Sequence, residues 1–251
     1  MKTIFTIILL STFIFSINSC NKESSNAAGN PQSGAGGSTA RFTIAGNYLY
    51  VVDHTSVKSF DISNQSNPVL KSKTEIGINI ETIFPYQDKL FIGSSSSMYI
   101  YSLADPAKPV RTGKADYTIR MSCDPVIAKD SVAYATLRAT GRCGGSMSAL
   151  VVYNIKNLSA PALVNTVPLN APYGLGIKDS ALYVCEGQGG LRIYNVRNAY
   201  NPEFISEISG HTFYDVIPYD NILIGQVNDG FVLYDIGVNR LKPVFLSKVL
   251  N

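Results

Sequence analysis

Residues 190–202 read Gly190-Leu191-Arg192-Ile193-Tyr194-Asn195-Val196-Arg197-Asn198-Ala199-Tyr200-Asn201-Pro202. An apolar run ends on an aromatic, a small polar residue and an aliphatic follow, and a proline closes the phrase. The phrase recurs five times. Its aromatic anchors are Phe60, Tyr101, Tyr153, Tyr194 and Tyr234, at intervals of 41, 52, 41 and 40 residues, and Pro68, Pro109, Pro161, Pro202 and Pro243 keep step. Asn47, Asp88, Asp130, Asp179 and Asp220 mark a second phase of the same period. A period of about 40 residues built from short strands belongs to propellers and other closed arrays.

Each unit offers four strand-like runs separated by turn residues, clearest in the fourth: 173–177, 181–185, 191–196 and 203–208. The third run is apolar on both faces, as in Leu150-Val151-Val152-Tyr153 and Phe231-Val232-Leu233-Tyr234. A strand covered on both sides belongs to sheets stacked face to face. The reading is all-β: a five-bladed β-propeller of about 42-residue, four-stranded repeats spanning residues 40–251. About 210 residues suffice for one such domain.

The polar residue after each anchor is Asp61, Ser102, Asn154, Asn195 or Asp235. Such side chains accept bonds from nearby backbone N–H groups and hold a turn, while the proline fixes the chain running into an edge strand. Their recurrence in all five units makes them structural rather than catalytic.

The first twenty residues, MKTIFTIILLSTFIFSINSC, place one cation before an apolar run too short to span a bilayer, then a small-residue exit. Residues 1–19 are expected to be a signal peptide. Ile17-Asn18-Ser19-Cys20 resembles the bacterial lipobox, in which the cysteine becomes the acylated first mature residue. Residues 20–39, rich in Ser, Gly, Asn and Ala, then read as a flexible tether. The expected setting is a bacterial cell envelope, lipid-anchored, with the outer membrane as the anchoring surface. A net charge of +3 with no basic stripe gives no reason to expect nucleic acid as a partner.

The units, above all Gly190–Val196 and Phe60-Asp61-Ile62 with their trailing Asn-Pro, resemble the LVIVD repeat family of bacterial surface β-propellers. Ser122-Cys123-Asp124-Pro125-Val126, Ala135-Thr136-Leu137-Arg138 and Tyr173-Gly174-Leu175-Gly176-Ile177 resemble lipoproteins of that family from Bacteroidetes-type bacteria. The resemblance covers about residues 42 to 251. It implies a propeller and no established catalytic activity.

In an up-down-up-down blade the first and third turns share one end, which carries the regular Asx and proline turns. The other end collects the irregular loops 53–56, 94–97, 138–148, 186–189 and 228–230, with the crossings near Arg120, Tyr173 and His211. Variable loops on a rigid scaffold are where binding concentrates. The binding-face candidates are His54, Arg120, Arg138, Arg142, Tyr173, Glu186, His211 and Asp229, and the expected partner is a protein or glycan. The third unit is longer by about eleven residues, all within a Gly-rich loop between Thr136 and Ala149. Cys143 in that loop and Cys123 lie at the same end of one blade; an oxidising compartment favours a disulfide there, the alternative being two free thiols. Such a bridge would constrain the unfolded chain by about 3 kcal/mol. Cys185 reads as a buried free thiol.

Two sharper chemistries are available. Glu81, Asp124 and Asp215 fall in first strands, which line the axis, and could serve a small carbohydrate-active hydrolase with carboxylates at the channel mouth. Their distances to the turn markers are 7, 6 and 5 residues, which argues against a common direction. His54 and His211 would meet at the irregular end if the ring closes and, with Asp53 or Asp229, would suit zinc. Neither histidine sits in a short-spaced ligand motif, so no cofactor or metal is expected.

Overall fold

The computed structural model describes residues 37–118, 125–139 and 147–250, which form twenty strands and no helix. Blade 1 is β1 (Phe42–Ala45), β2 (Tyr48–Val52), β3 (Ser56–Asp61) and β4 (Val69–Glu75); blade 2 is β5 (Ile80–Tyr86), β6 (Lys89–Ser94), β7 (Ser97–Ser102) and β8 (Val110–Asp116). Blade 3 follows with β9 (Val126–Lys129), β10 (Val132–Leu137), β11 (Ala149–Asn154) and β12 (Ala162–Pro168). Blade 4 holds β13 (Leu175–Lys178), β14 (Ala181–Cys185), β15 (Leu191–Asn195) and β16 (Glu203–Ile208). Blade 5 holds β17 (Phe213–Tyr219), β18 (Ile222–Val227), β19 (Gly230–Asp235) and β20 (Val244–Leu250). Each is an antiparallel meander with strands in chain order, and first strands touch first strands from blade 1 through blade 5. The protein is a five-bladed β-propeller.

The repeated residues do the same work five times. Ser63, Ala104, Lys156, Arg197 and Gly237 each donate a backbone N–H to the side chain of Asp61, Ser102, Asn154, Asn195 or Asp235. Ile62, Leu103, Ile155, Val196 and Ile236 donate theirs to the first hairpin of their own blade. Immediately before every aromatic anchor the third and fourth strands slip register by a bulge, which bends the outer strand, and each repeat proline stands just before that strand.

The second phase needs one correction. The left-handed hairpin residues are Gly46, Gln87, Asp130, Asp179 and Asp220, so Asn47 and Asp88 stand one place later in their turns than the three aspartates. A side-chain match at Asn47 and Asp88 concealed the backbone position, which glycine and glutamine occupy in those two blades.

Four seams between blades are sealed by buried clusters, joining blades 1 and 2, 2 and 3, 3 and 4, and 4 and 5. Three are pinned by a second-strand tyrosine reaching the third turn of the next blade: Tyr50 to the Pro106 carbonyl, Tyr134 to Ala199 and Tyr183 to Arg240. Burial pushes the pKa of all three phenols up, which keeps them protonated donors. Blades 5 and 1 are different. No buried cluster joins them among the described residues, and burial there alternates along β18 and β19 instead of running continuously as in β10 and β11. The apolar pattern Phe231-Val232-Leu233-Tyr234 is therefore covered on one side only.

Candidate functional site at the irregular mouth

Gly37–Arg41 cross the axis at the irregular end as a strap. Ser38 Oγ donates to Asp215 Oδ1 of β17 (3.2 Å) and accepts from the Leu175 N–H of β13 (2.7 Å). The Thr39 hydroxyl and N–H both donate to Asp215 Oδ2, at 2.6 and 3.3 Å. Ala40 accepts from the Ile83 N–H of β5, and Arg41 Nη2 donates to the Ile80 carbonyl. Gly37 and Gly174 flank the carboxylate so closely that a Cβ on either would collide with it. Composition assigns 37–39 to a tether, but their hydroxyls and missing side chains fit them to the axis. Residues 1–36, with Cys20 and most of the expected tether, lie outside the described residues.

The strap accounts for Asp215. Loss of water pushes its pKa up, partly offset by the bonds from Thr39, the Val216 N–H and Ser38. In the structure it is a buried acceptor for the strap and for the Val216 N–H.

Counting back from the corrected hairpin residues, Glu81, Asp124, Tyr173 and Tyr214 all stand six places earlier. They are one repeat position, with Glu81, Tyr173 and Tyr214 at the mouth, and Asp215 lies one place further along; Asp124 lies outside the described residues. Glu81 and Tyr214 each occupy the extra place of a bulge in the first strand, which lifts them out of the ladder.

The tyrosines of this set meet. The rings of Tyr173 and Tyr214 are edge to face at 5.2 Å between centroids, and the Arg138 guanidinium lies over Tyr173 at 4.0 Å. Thr136 Oγ1 holds the Tyr173 carbonyl at 2.5 Å. Beside them the stems of the insertion are joined by the Ala139 N–H donating to Ser148 Oγ at 3.0 Å. The sequence marks Tyr173 and Arg138 but not Tyr214; the signal for it is the same offset from the hairpin that Tyr173 shows.

The remaining expected residues divide. Glu186 is buried, accepting from the Asn170 N–H and pairing with Arg192 Nε at 2.7 Å, so it braces a loop. Asp229 is exposed and bonded to Lys248, which holds its pKa down. His54 is exposed; His211 is half-buried, edge to face with Phe213. No three His, Cys, Asp or Glu side chains gather for a metal among the described residues. Cys185 is a buried free thiol whose pKa burial raises, which removes it from nucleophilic chemistry. Cys123, Cys143, Arg120 and Arg142 lie outside the described residues. Two cavities, of about 430 and 270 Å³, open at the opposite, regular end in seams 3–4 and 2–3. Polar groups in their walls hold the fold, with Tyr134 bonded to Ala199, Asp179 to Arg240 and Tyr86 to Asp130.

Fold and mouth define a β-propeller whose axis is closed by its own lead-in segment. Residues 36–75, the strap and first blade, match the family model of the LVIVD repeat. No curated protein matches the sequence. Among solved structures, the chain is similar to the computationally designed Ika8 protein (TM-score 0.58, 11% identity, 83% of this chain and 60% of that one). It is similar also to a protein from Lactobacillus plantarum (0.65, 14%, 83% and 73%) and to the periplasmic gluconolactonase PpgL of Pseudomonas aeruginosa (0.60, 14%, 82% and 68%). At these identities the likeness is one of fold, and the chain spans less than two thirds of Ika8.

Proposed function

We propose that this protein is a lipid-anchored envelope propeller that binds a protein or glycan through its irregular mouth without catalysing a reaction. The observation that carries the reading is the Tyr173, Tyr214 and Arg138 cluster beside the blade-3 insertion. Half-buried tyrosines give area at low entropic cost and stack on sugar rings or apolar side chains, and arginine adds a charge that pairs with carboxylates. The anchor rests on the signal pattern and Cys20.

The test is capture of envelope proteins and of arrayed glycans by the domain starting at Gly37. Tyr173→Ala should weaken the captured interaction about tenfold or more, as loss of an aromatic anchor does. Tyr219→Ala, an exposed aromatic at the regular end, should leave it intact. Equal loss from both would remove the mouth as the binding face.

A hydrolase keeps one observation in its favour, since Glu81 and Asp124 share a repeat position in adjacent blades. Turnover of a glycoside that falls with Glu81→Gln and Asp124→Asn would establish it. The gluconolactonase likeness adds only the fold.

A further inference from the structure

At the regular end, one place in each third turn faces the preceding blade. It holds Pro106, Leu158, Ala199 and Arg240 in blades 2 to 5, and in three of them its carbonyl accepts the seam tyrosine. In seam 4–5 the side chain at that place reaches back. Arg240 pairs through Nε with Asp179, the left-handed hairpin residue of blade 4, and that Nε is shut off from water although Asp179 is 63% exposed.

Seam 3–4 has the acid without the arginine. Asp130 stands in blade 3 where Asp179 stands in blade 4, in the same backbone conformation (φ 53° and 51°), so its side chain leaves the hairpin in the same direction. The residue across the seam is Ala199, and both line the cavity of about 430 Å³, a volume within the range of roughly 300–1,000 Å³ that small-molecule sites occupy. In seam 2–3, where Leu158 faces the neutral Gln87, the cavity is about 270 Å³.

Asp130 is loosely held. Its Oδ1 accepts from the Tyr86 hydroxyl at 3.2 Å, and its Oδ2 lies 3.4 Å from Lys129 Nζ in a pair whose side chains are 75% and 36% exposed. Ion pairs this open to water contribute little. Blade 4 shows what replaces such a pair: Lys178 is the counterpart of Lys129, yet Asp179 takes the guanidinium of Arg240 instead. A guanidinium is planar, weakly hydrated and shaped to a carboxylate edge, which an ammonium is not.

We propose that the seam 3–4 cavity binds a guanidinium group carried on an aliphatic stem. The stem lies against Val132, Tyr134 and Val196, and the guanidinium displaces Lys129 from Asp130, filling the room that Arg240 fills one seam further on. Arg197 also lines the cavity but is exposed, so solvent and salt screen its repulsion. The site lies at the opposite end from the mouth and does not depend on what the mouth binds.

Calorimetric titration of the intact protein with n-butylguanidinium should saturate at one equivalent below about 10 mM, and n-butylurea, its neutral isostere, should bind about tenfold more weakly or worse. Asp130→Asn keeps a residue that tolerates the left-handed turn and should weaken n-butylguanidinium about tenfold. Ala199→Arg should copy the Arg240 pair into seam 3–4, abolishing binding while Tm stays at or above that of the parent. Absence of saturation in that range, equal affinity for the urea, an Asp130→Asn protein that binds as the parent does, or a folded Ala199→Arg protein that still binds overturns the proposal. If Ala199→Arg fails to fold, Asp130→Asn decides alone. Acetyl-Gly-Arg-Gly-amide separates the sources of the group: binding about tenfold tighter than n-butylguanidinium supports an arginine of a partner chain, and equal or weaker binding supports a free small molecule.

Discussion

Asp215 shows how a residue type misleads when its neighbours are out of sight. In sequence it is a carboxylate in an axial strand; in the fold it is a buried acceptor for Ser38 and Thr39, with no ion pair among the described residues. Its folded pKa is raised above the ordinary 3.8, so folding favours the protonated acid. The stability this contributes is complete below about pH 4 and is lost as pH rises through the raised folded value. Half-buried Asp61, held down to about 2 by Ser63 and Lys71, slopes the other way, so the total curve is no test. The difference is. Asp215→Asn should gain on the parent protein, in urea midpoint, as pH rises from about 4 to 7, and a flat difference would mean that the carboxylate titrates as it does in water.

At the scale of strands, the repeat is legible wherever the same atoms act in every blade. Anchor aromatics, Asx caps and prolines announce themselves because each fills a backbone need that recurs at fixed spacing. The hairpin phase is not legible, because a left-handed position accepts Gly46, Gln87 or Asp130 alike and so leaves no single letter. That one-residue error hid the shared position of Glu81, Asp124, Tyr173 and Tyr214, and with it the clearest pattern at the mouth. The seam tyrosines give a cleaner case. Tyr134→Phe leaves the ring and removes only the hydroxyl that bonds the Ala199 carbonyl at 2.7 Å. We expect a loss of about 0.5–1.5 kcal/mol in chemical denaturation, the usual net worth of such a bond. Phe91 fills the equivalent place in blade 2 without a hydroxyl, so Phe91→Tyr gives no matching gain unless a carbonyl lies in reach. A Tyr134→Phe effect near zero would leave seam 3–4 held by its apolar cluster alone.

Over the whole molecule, local repeats say how many blades form and nothing about how the first meets the last, since that depends on accumulated curvature. The strap is equally silent, because Gly37-Ser38-Thr39 has the composition of a linker and becomes structure only where two blades present Asp215 and the Leu175 N–H together. It bonds to blades 2, 4 and 5 and leads into blade 1, so it ties elements that no sheet ladder connects. Its removal is therefore a test of global stability. A chain beginning at Arg41 loses every strap bond to the Asp215 carboxylate, each worth about 0.5–1.5 kcal/mol net. For a domain of this size a loss of about 2 kcal/mol lowers Tm by roughly 4–8 °C relative to a chain beginning at Gly37. Asp215→Ala in the shorter chain should recover part of that loss, because it removes the carboxyl group left without its strap partners; the same change in the longer chain should only destabilise. Additive effects of truncation and substitution would show that strap and carboxylate act independently, and the axis would then be closed by packing alone.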